Sequence, residues 1–141
     1  MTTKRETILA ALRSSLTGTV GVGTRIYRSR VEPIARQESP AIVIEPVIDE
    51  PALQTHLATI DWTLRVRFTI IVRGNTPDQL ADPIIEDMHS RLMADPTIGG
   101  RAIDILPLPT RFNFVEADGP AGEIACDYRV MYRTQLANLT S

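Results

Sequence analysis

The sequence predicts an α+β domain: a mainly antiparallel sheet of five or six strands with two helices packed on one face. Three observations lead there. Asp61–Arg73 places Trp62, Leu64, Val66, Phe68, Ile70 and Val72 on one side and Asp61, Thr63, Arg65, Arg67, Thr69 and Arg73 on the other. Only Ile71 departs from that period of two, which marks a strand with one buried face and suits an antiparallel sheet. Glu123–Thr134 alternates in the same way, with Ile124, Cys126, Tyr128, Val130 and Tyr132 on one side. Two further stretches instead carry apolar residues every three or four positions, the spacing of a helix that buries one stripe. A sheet with one apolar face needs a cover, and two amphipathic helices supply it. The 141 residues fit one such domain, 1–141.

The elements follow in order. Thr3-Lys4-Arg5-Glu6 has the form of a capping box, and Ile8, Leu9, Leu12 and Leu16 make the buried stripe of a helix over 4–16. Gly18 and Gly21 stop it. Residues 23–28 are rich in strand formers, and 29–39, which includes Pro33, reads as a loop. Pro40–Ile48 is a strand whose Pro46 requires an edge position or a bulge. Residues 50–59 are a second connector. Thr76-Pro77-Asp78-Gln79 opens a second helix, with Thr76 as cap and Leu80, Ile84, Met88 and Leu92 as its buried stripe. Pro83 either kinks that helix or begins a shorter one capped by Asp82. Asp95-Pro96 and Gly99-Gly100 end it. Arg101–Leu108 reads as a strand closed by Pro107 and Pro109. Phe112, Phe114 and Glu116 then lead into a hairpin turn at 118–122.

Composition narrows function by exclusion. Apolar residues are 43% and charged residues 23%, ordinary for a globular chain. The net charge of -2 gives no electrostatic case for gripping DNA or anionic lipid. Cys126 is the single cysteine, so no intrachain disulfide forms. The N-terminus has no signal-peptide pattern, and no apolar run approaches the ~18 residues of a membrane span, which predicts a cytosolic protein and no membrane partner. Of 15 basic residues 14 are arginine. GC-rich coding explains that, and so does selection for planar pairing at protein interfaces.

No pattern of catalysis rises above this background, so the expectation is a protein that is not an enzyme and holds no cofactor and no metal. Asp82, Glu86 and His89 share one helix, but a single Glu-x-x-His lacks the second motif and further carboxylates of a di-iron site. Two histidines and one cysteine do not fill a structural zinc set. Cys126 falls on an apolar strand face, where a thiol is inert. Gly18–Gly23 is glycine-rich but lacks the Gly-Lys-Ser/Thr ending of a phosphate loop, and reads as a flexible connector. Arg65, Arg67 and Arg129 could form a nucleic-acid surface, but the aromatics that would stack on bases, Trp62 and Phe68, lie on the opposite face. What remains is interface character. The connectors 29–39 and 49–59 are long and carry apolar side chains, Val31 and Ile34 on one, Leu53 and Leu57 on the other. They either fold back on the core or reach a neighbouring subunit.

Several segments in this order resemble a known family. They are Ile26-Tyr27-Arg28-Ser29-Arg30, Pro40–Ile44, the Trp62–Arg73 strand, Gly74-Asn75-Thr76-Pro77-Asp78 and Met88–Leu92. Asp95–Gly100 and Tyr128–Thr134 complete the set. Together they resemble the tail terminator (minor tail) proteins of long-tailed phages with lambda-like tails. The resemblance implies a structural protein of the virion tail, assembled in the host cytoplasm, as from a phage or prophage. It implies a homo-oligomeric ring, six-fold, that caps the tail tube, ends its elongation and offers a surface to the head. The implied partners are further copies of the chain, the major tail tube protein and the head-tail connector protein, with DNA passing through unbound. A neck or head-completion ring is the alternative, with a small metal-dependent enzyme behind it. Expected subunit-contact residues are Arg28, Arg30, Val31, Ile34 and Arg36 on the first loop and Leu53 and Leu57 on the second. Arg65 and Arg67 would pair across the ring from the open sheet face.

Overall fold

The computed structural model describes residues 1–52, 58–116 and 119–141. It contains helix α1 (Lys4–Leu16), strand β1 (Ile26–Arg28), strand β2 (Ala41–Pro51) and strand β3 (Thr59–Arg73). Helix α2 (Pro77–Met93), strand β4 (Asp104–Glu116) and strand β5 (Pro120–Gln135) follow. A short 3-10 turn, Arg36–Glu38, lies in the first loop. The five strands form one sheet in the order β1-β2-β3-β5-β4. β1 runs parallel to β2, and every other pairing is antiparallel.

One core holds the layers together. Ile8, Leu9, Leu12 and Leu16 of α1 and Ala81, Ile84, Met88 and Leu92 of α2 join Leu64, Val66, Phe68, Ile70 and Val72 of β3 in a single buried cluster. Ile124, Cys126, Tyr128, Val130 and Tyr132 of β5 complete it, so the even-numbered face of both central strands points into the core. Full burial of an Ile, Leu or Phe side chain stabilises by roughly 1.5–3 kcal/mol, which makes this alternation the main force that fixes register. Ile71, the exception to the period, lies on the other face in a second cluster with Ile34, Ala41, Val43 and Tyr27. The first loop covers that patch, so the apolar Ile71 is partly buried there.

The helices depart from expectation in detail. Thr3 caps α1, its Oγ1 accepting the Glu6 N–H at 3.2 Å. The Glu6 carboxylate accepts from Arg28 on β1 at 3.1 Å, which ties the helix to the sheet margin. α2 is continuous from Pro77 through Pro83. Thr76 makes no side-chain capping bond, contrary to the expected cap. Leu80, expected in the buried stripe, is 44% exposed, and Ala81 takes its place. The glycine-rich turn after α1 is closed by a Thr19–Gly23 bridge. It is fastened to α2, where Asp87 accepts the Val20 N–H and Arg91 donates to the Gly18 carbonyl.

Two prolines of the strands need correction, and a third does not. Pro107 and Pro109 do not close a strand, because β4 continues through them to Glu116, with a register shift between Pro107 and Thr110. β4 is a margin of the sheet, where a missing N–H on the outer side breaks no ladder bond. Pro46 sits as expected at a bulge, between Pro46 and Ile48, beyond the last β1 pairing at Ile44. β2 then runs to Pro51, which shortens the second connector from its start.

Candidate functional site

The face of the sheet away from the helices carries the charged residues of β3 and β5. Register places Arg67 directly across from Asp127, and Arg65 across from Arg129. Asp127 is 2% exposed, yet it lies on this charged face. Its two oxygens accept from Arg65 Nε at 2.7 Å, Arg67 Nε at 2.9 Å and Arg67 Nη2 at 3.1 Å. Burial alone would push the Asp127 carboxyl up, but the Arg67 and Arg65 bonds outweigh it and hold it below the usual carboxylate range. Arg67 is raised in turn by its bond to Asp127. The two arginines expected to pair across subunits are thus first paired within their own chain. Their side chains remain 33% and 29% exposed above the shared carboxylate.

The first loop lies over one end of this face and is built by short bonds. Arg30 donates to both Glu38 oxygens, at 2.7 and 2.9 Å, and its guanidinium stacks 4.7 Å above the Tyr27 ring. Glu38 also accepts the Ala35 N–H at 3.0 Å. The Arg30 bond first, then the Ala35 amide, pulls the Glu38 carboxyl down to about 2. Arg73 Nη2 donates to the Ile34 carbonyl at 2.7 Å, which anchors the loop to the end of β3. A groove of about 410 Å³ opens between the loop and the sheet, floored by Val43, Thr69 and Ile71.

Each expected contact residue now has a place. Val31 is 96% exposed at the loop tip. Ile34 is 5% exposed and packs on Ala41 and Val43, so its side chain folds back on the sheet and does not face outward. Arg28, expected on the first loop, instead ends β1 and is held by Glu6, and Arg30 is held by Glu38. Arg36 lies beside Gly119, where a Cβ would come 3.3 Å from its Nη2. Leu53 and Leu57 lie outside the described residues. The composition of the loop was readable in the sequence. The carboxylates that hold Arg28 and Arg30, Glu6 and Glu38, were not, because they lie 22 and 8 residues from those partners.

Of the groups considered for chemistry, His89 and Cys126 sit in structural surroundings, while Asp82 and Glu86 are exposed on α2. His89 Nδ1 is 2.6 Å from the Tyr128 hydroxyl. Trp62 donates to Thr134 at 2.9 Å and stacks on Tyr132. Burial pushes the Cys126 thiol up to about 11. No helix of the described residues is long and apolar enough to cross a membrane.

The fold defines a two-layer α+β domain whose distinctive surfaces are a braced loop and a charged open sheet. No protein-family model matches the sequence, and no curated protein matches it. Among solved structures, the fold is similar to a chain of the virion of a native gene transfer agent (GTA) particle. That match has a TM-score of 0.64 at 14% identity and covers 89% of this chain and 94% of the other. At that identity the likeness establishes a shared fold.

Proposed function

We propose that this chain is a structural subunit of a phage-like virion tail, and within it a tail-terminator protein. Copies form a closed ring, six-fold by the resemblance of the sequence. The ring caps the tail tube, ends its growth and presents a surface to the head-tail connector. DNA passes through without specific binding. The chain acts through shape and contact, without bond chemistry.

The observation that carries this reading is the braced first loop. Arg30, Glu38 and the Arg73–Ile34 bond fix a loop whose tip, Val31, is 96% exposed. A loop fixed in that way holds an apolar contact in place before a partner arrives, which lowers the ordering cost of binding. A fold shared with a chain of a gene transfer agent virion supports the reading. Arginines 33% and 29% exposed above one buried carboxylate give the open face a polar character suited to reversible contact.

The test is assembly. Purified chain examined by analytical ultracentrifugation and negative-stain microscopy should form rings, alone at high concentration or on the ends of purified tail tubes. Strict monomers that leave tubes free to lengthen would refute the proposal. Rings that bind head connectors but ignore tube ends would move it to the neck.

A further inference from the structure

The strand order β1-β2-β3-β5-β4 gives the sheet two margins, and they differ in edge, apolar surface and charge. β4 pairs with β5 alone. Its second half, Thr110–Glu116, contains no proline to blunt the edge. Phe112 and Phe114 there are 54% and 59% exposed. They pair with Ile124 and Gly122, which places them on the helix side of the sheet. Phe114 shares a groove of about 570 Å³ with Pro77 and Asp78 at the start of α2. From Asp78 a row of carboxylates continues along the helix at four-residue spacing, through Asp82 and Glu86. Among the described residues none of the three has an ion pair or a side-chain hydrogen bond. Like charges at that spacing repel, and cations brought by a partner would relieve that repulsion.

The β1 margin has the opposite character. Arg28 on β1 is bonded to Glu6 of α1. Arg13, exposed, lies two turns along the same flank of that helix. Arg25, at the foot of β1, donates to the Pro40 and Gly21 carbonyls at 2.8 and 2.7 Å. Among the described residues only Arg28 of these three guanidiniums is paired with a carboxylate, so the margin keeps an excess of positive charge.

We propose that the β4 margin of one subunit docks on the β1 margin of a second copy. The row Asp78, Asp82 and Glu86 faces Arg13, Arg25 and Arg28, and Phe112 and Phe114 form the apolar centre. This inference rests on the ring reading and names a second subunit contact beside that of the first loop. The two surfaces lie at opposite ends of one sheet and are unlike, so the contact is head-to-tail and repeats until the rotation closes. Charge complementarity sets the register, and mismatched charges would penalise the reverse order.

Charge reversal in the full-length chain tests it, with association measured by sedimentation. Glu86→Arg and Arg13→Glu replace exposed side chains, and circular dichroism checks that both variants fold. Each alone should weaken association by about tenfold or more. The two combined in one chain should recover most of the loss. Phe114→Ser, which leaves every charge in place, should weaken association too. Rising salt should reduce wild-type association. Reversals that leave ring formation unchanged would overturn this docking while the ring reading stands. So would variants that form two-fold pairs through β4. Wild-type chain that never self-associates, even on tube ends, would overturn the ring reading itself.

Discussion

Gly122 on β5 lies directly beneath Pro77, the first residue of α2. A Cβ built on Gly122 would come 2.4 Å from the Pro77 Cβ. Both partners of that contact are rigid, one a strand backbone and the other a proline ring. Gly122→Ala should therefore lift the start of α2 off the sheet and cost about 1–3 kcal/mol, the usual range for overpacking. Gly23→Ala is the control. Gly23 has a φ of +63° with nothing within 4 Å of the added carbon, so only backbone strain of about 1 kcal/mol is expected. Urea denaturation of both variants measures the difference.

The Asp127 carboxylate sets an acid limb of stability. Its folded pKa lies below the ordinary 3.8, so its contribution is complete above that value and fades as pH falls through the folded one. Asp127→Asn keeps the shape and removes the charge that holds Arg65 and Arg67 together. A loss of about 1–3 kcal/mol is expected at pH 7, moderated because both guanidiniums keep some solvent. The gap between variant and wild type should shrink toward pH 2. Denaturation at pH 7 and at low pH tests the sign, and a gap that widens in acid would contradict the pairing.

The strand β3 was legible because its alternation is local and needs no knowledge of neighbours. Asp127 was not, since its burial follows from the register that sets Arg67 opposite it. Pro107 and Pro109 read as a stop because edge status belongs to the sheet order, which no local window contains. Leu80 was misplaced for a geometric reason. Steps of four residues advance 400° against a 360° turn, so a stripe of fours drifts around the helix. The buried residues are instead Pro77, Ala81, Ile84, Met88 and Leu92, which mix steps of three and four. Ile34 and Val31 looked alike in sequence, and only the fold of the loop separates a buried side chain from an exposed one. The proposed β4 margin was half visible: Asp82 and Glu86 drew notice as a carboxylate pair that falls short of a metal site, while the exposure of Phe112 and Phe114 depends on where the helix layer ends.

Val31→Asp separates contact from stability. Val31 is 96% exposed and makes no part of either core cluster. The melting behaviour should stay within about 0.5 kcal/mol of wild type, as for other exposed sites. Ring formation should fall sharply, because the apolar tip gains a charge. Normal assembly of this variant would remove the first loop from the interface.

Glu38→Gln tests whether the brace itself matters. It weakens the bonds to Arg30 and to the Ala35 amide while leaving Val31 untouched. Hydrogen exchange at residues 29–39 should rise relative to the core strands, since the loop loses charge-assisted bonds and no buried apolar area. In the wild type that protection should persist into acid, because the Glu38 carboxyl titrates only at about 2.

The thiol of Cys126 reports on the integrity of β5. It is 2% exposed among core side chains, and burial holds its pKa at about 11. At pH 8 the thiolate fraction is small and the sulfur is shielded, so a thiol reagent should label the native protein far more slowly than the urea-unfolded chain. Labelling rate then follows opening of the central sheet. Gly122→Ala, which strains β5 four residues away, should raise it, whereas Val31→Asp should leave it unchanged. Fast labelling of wild type would mean that β5 is open to solvent and that the core described here is incomplete.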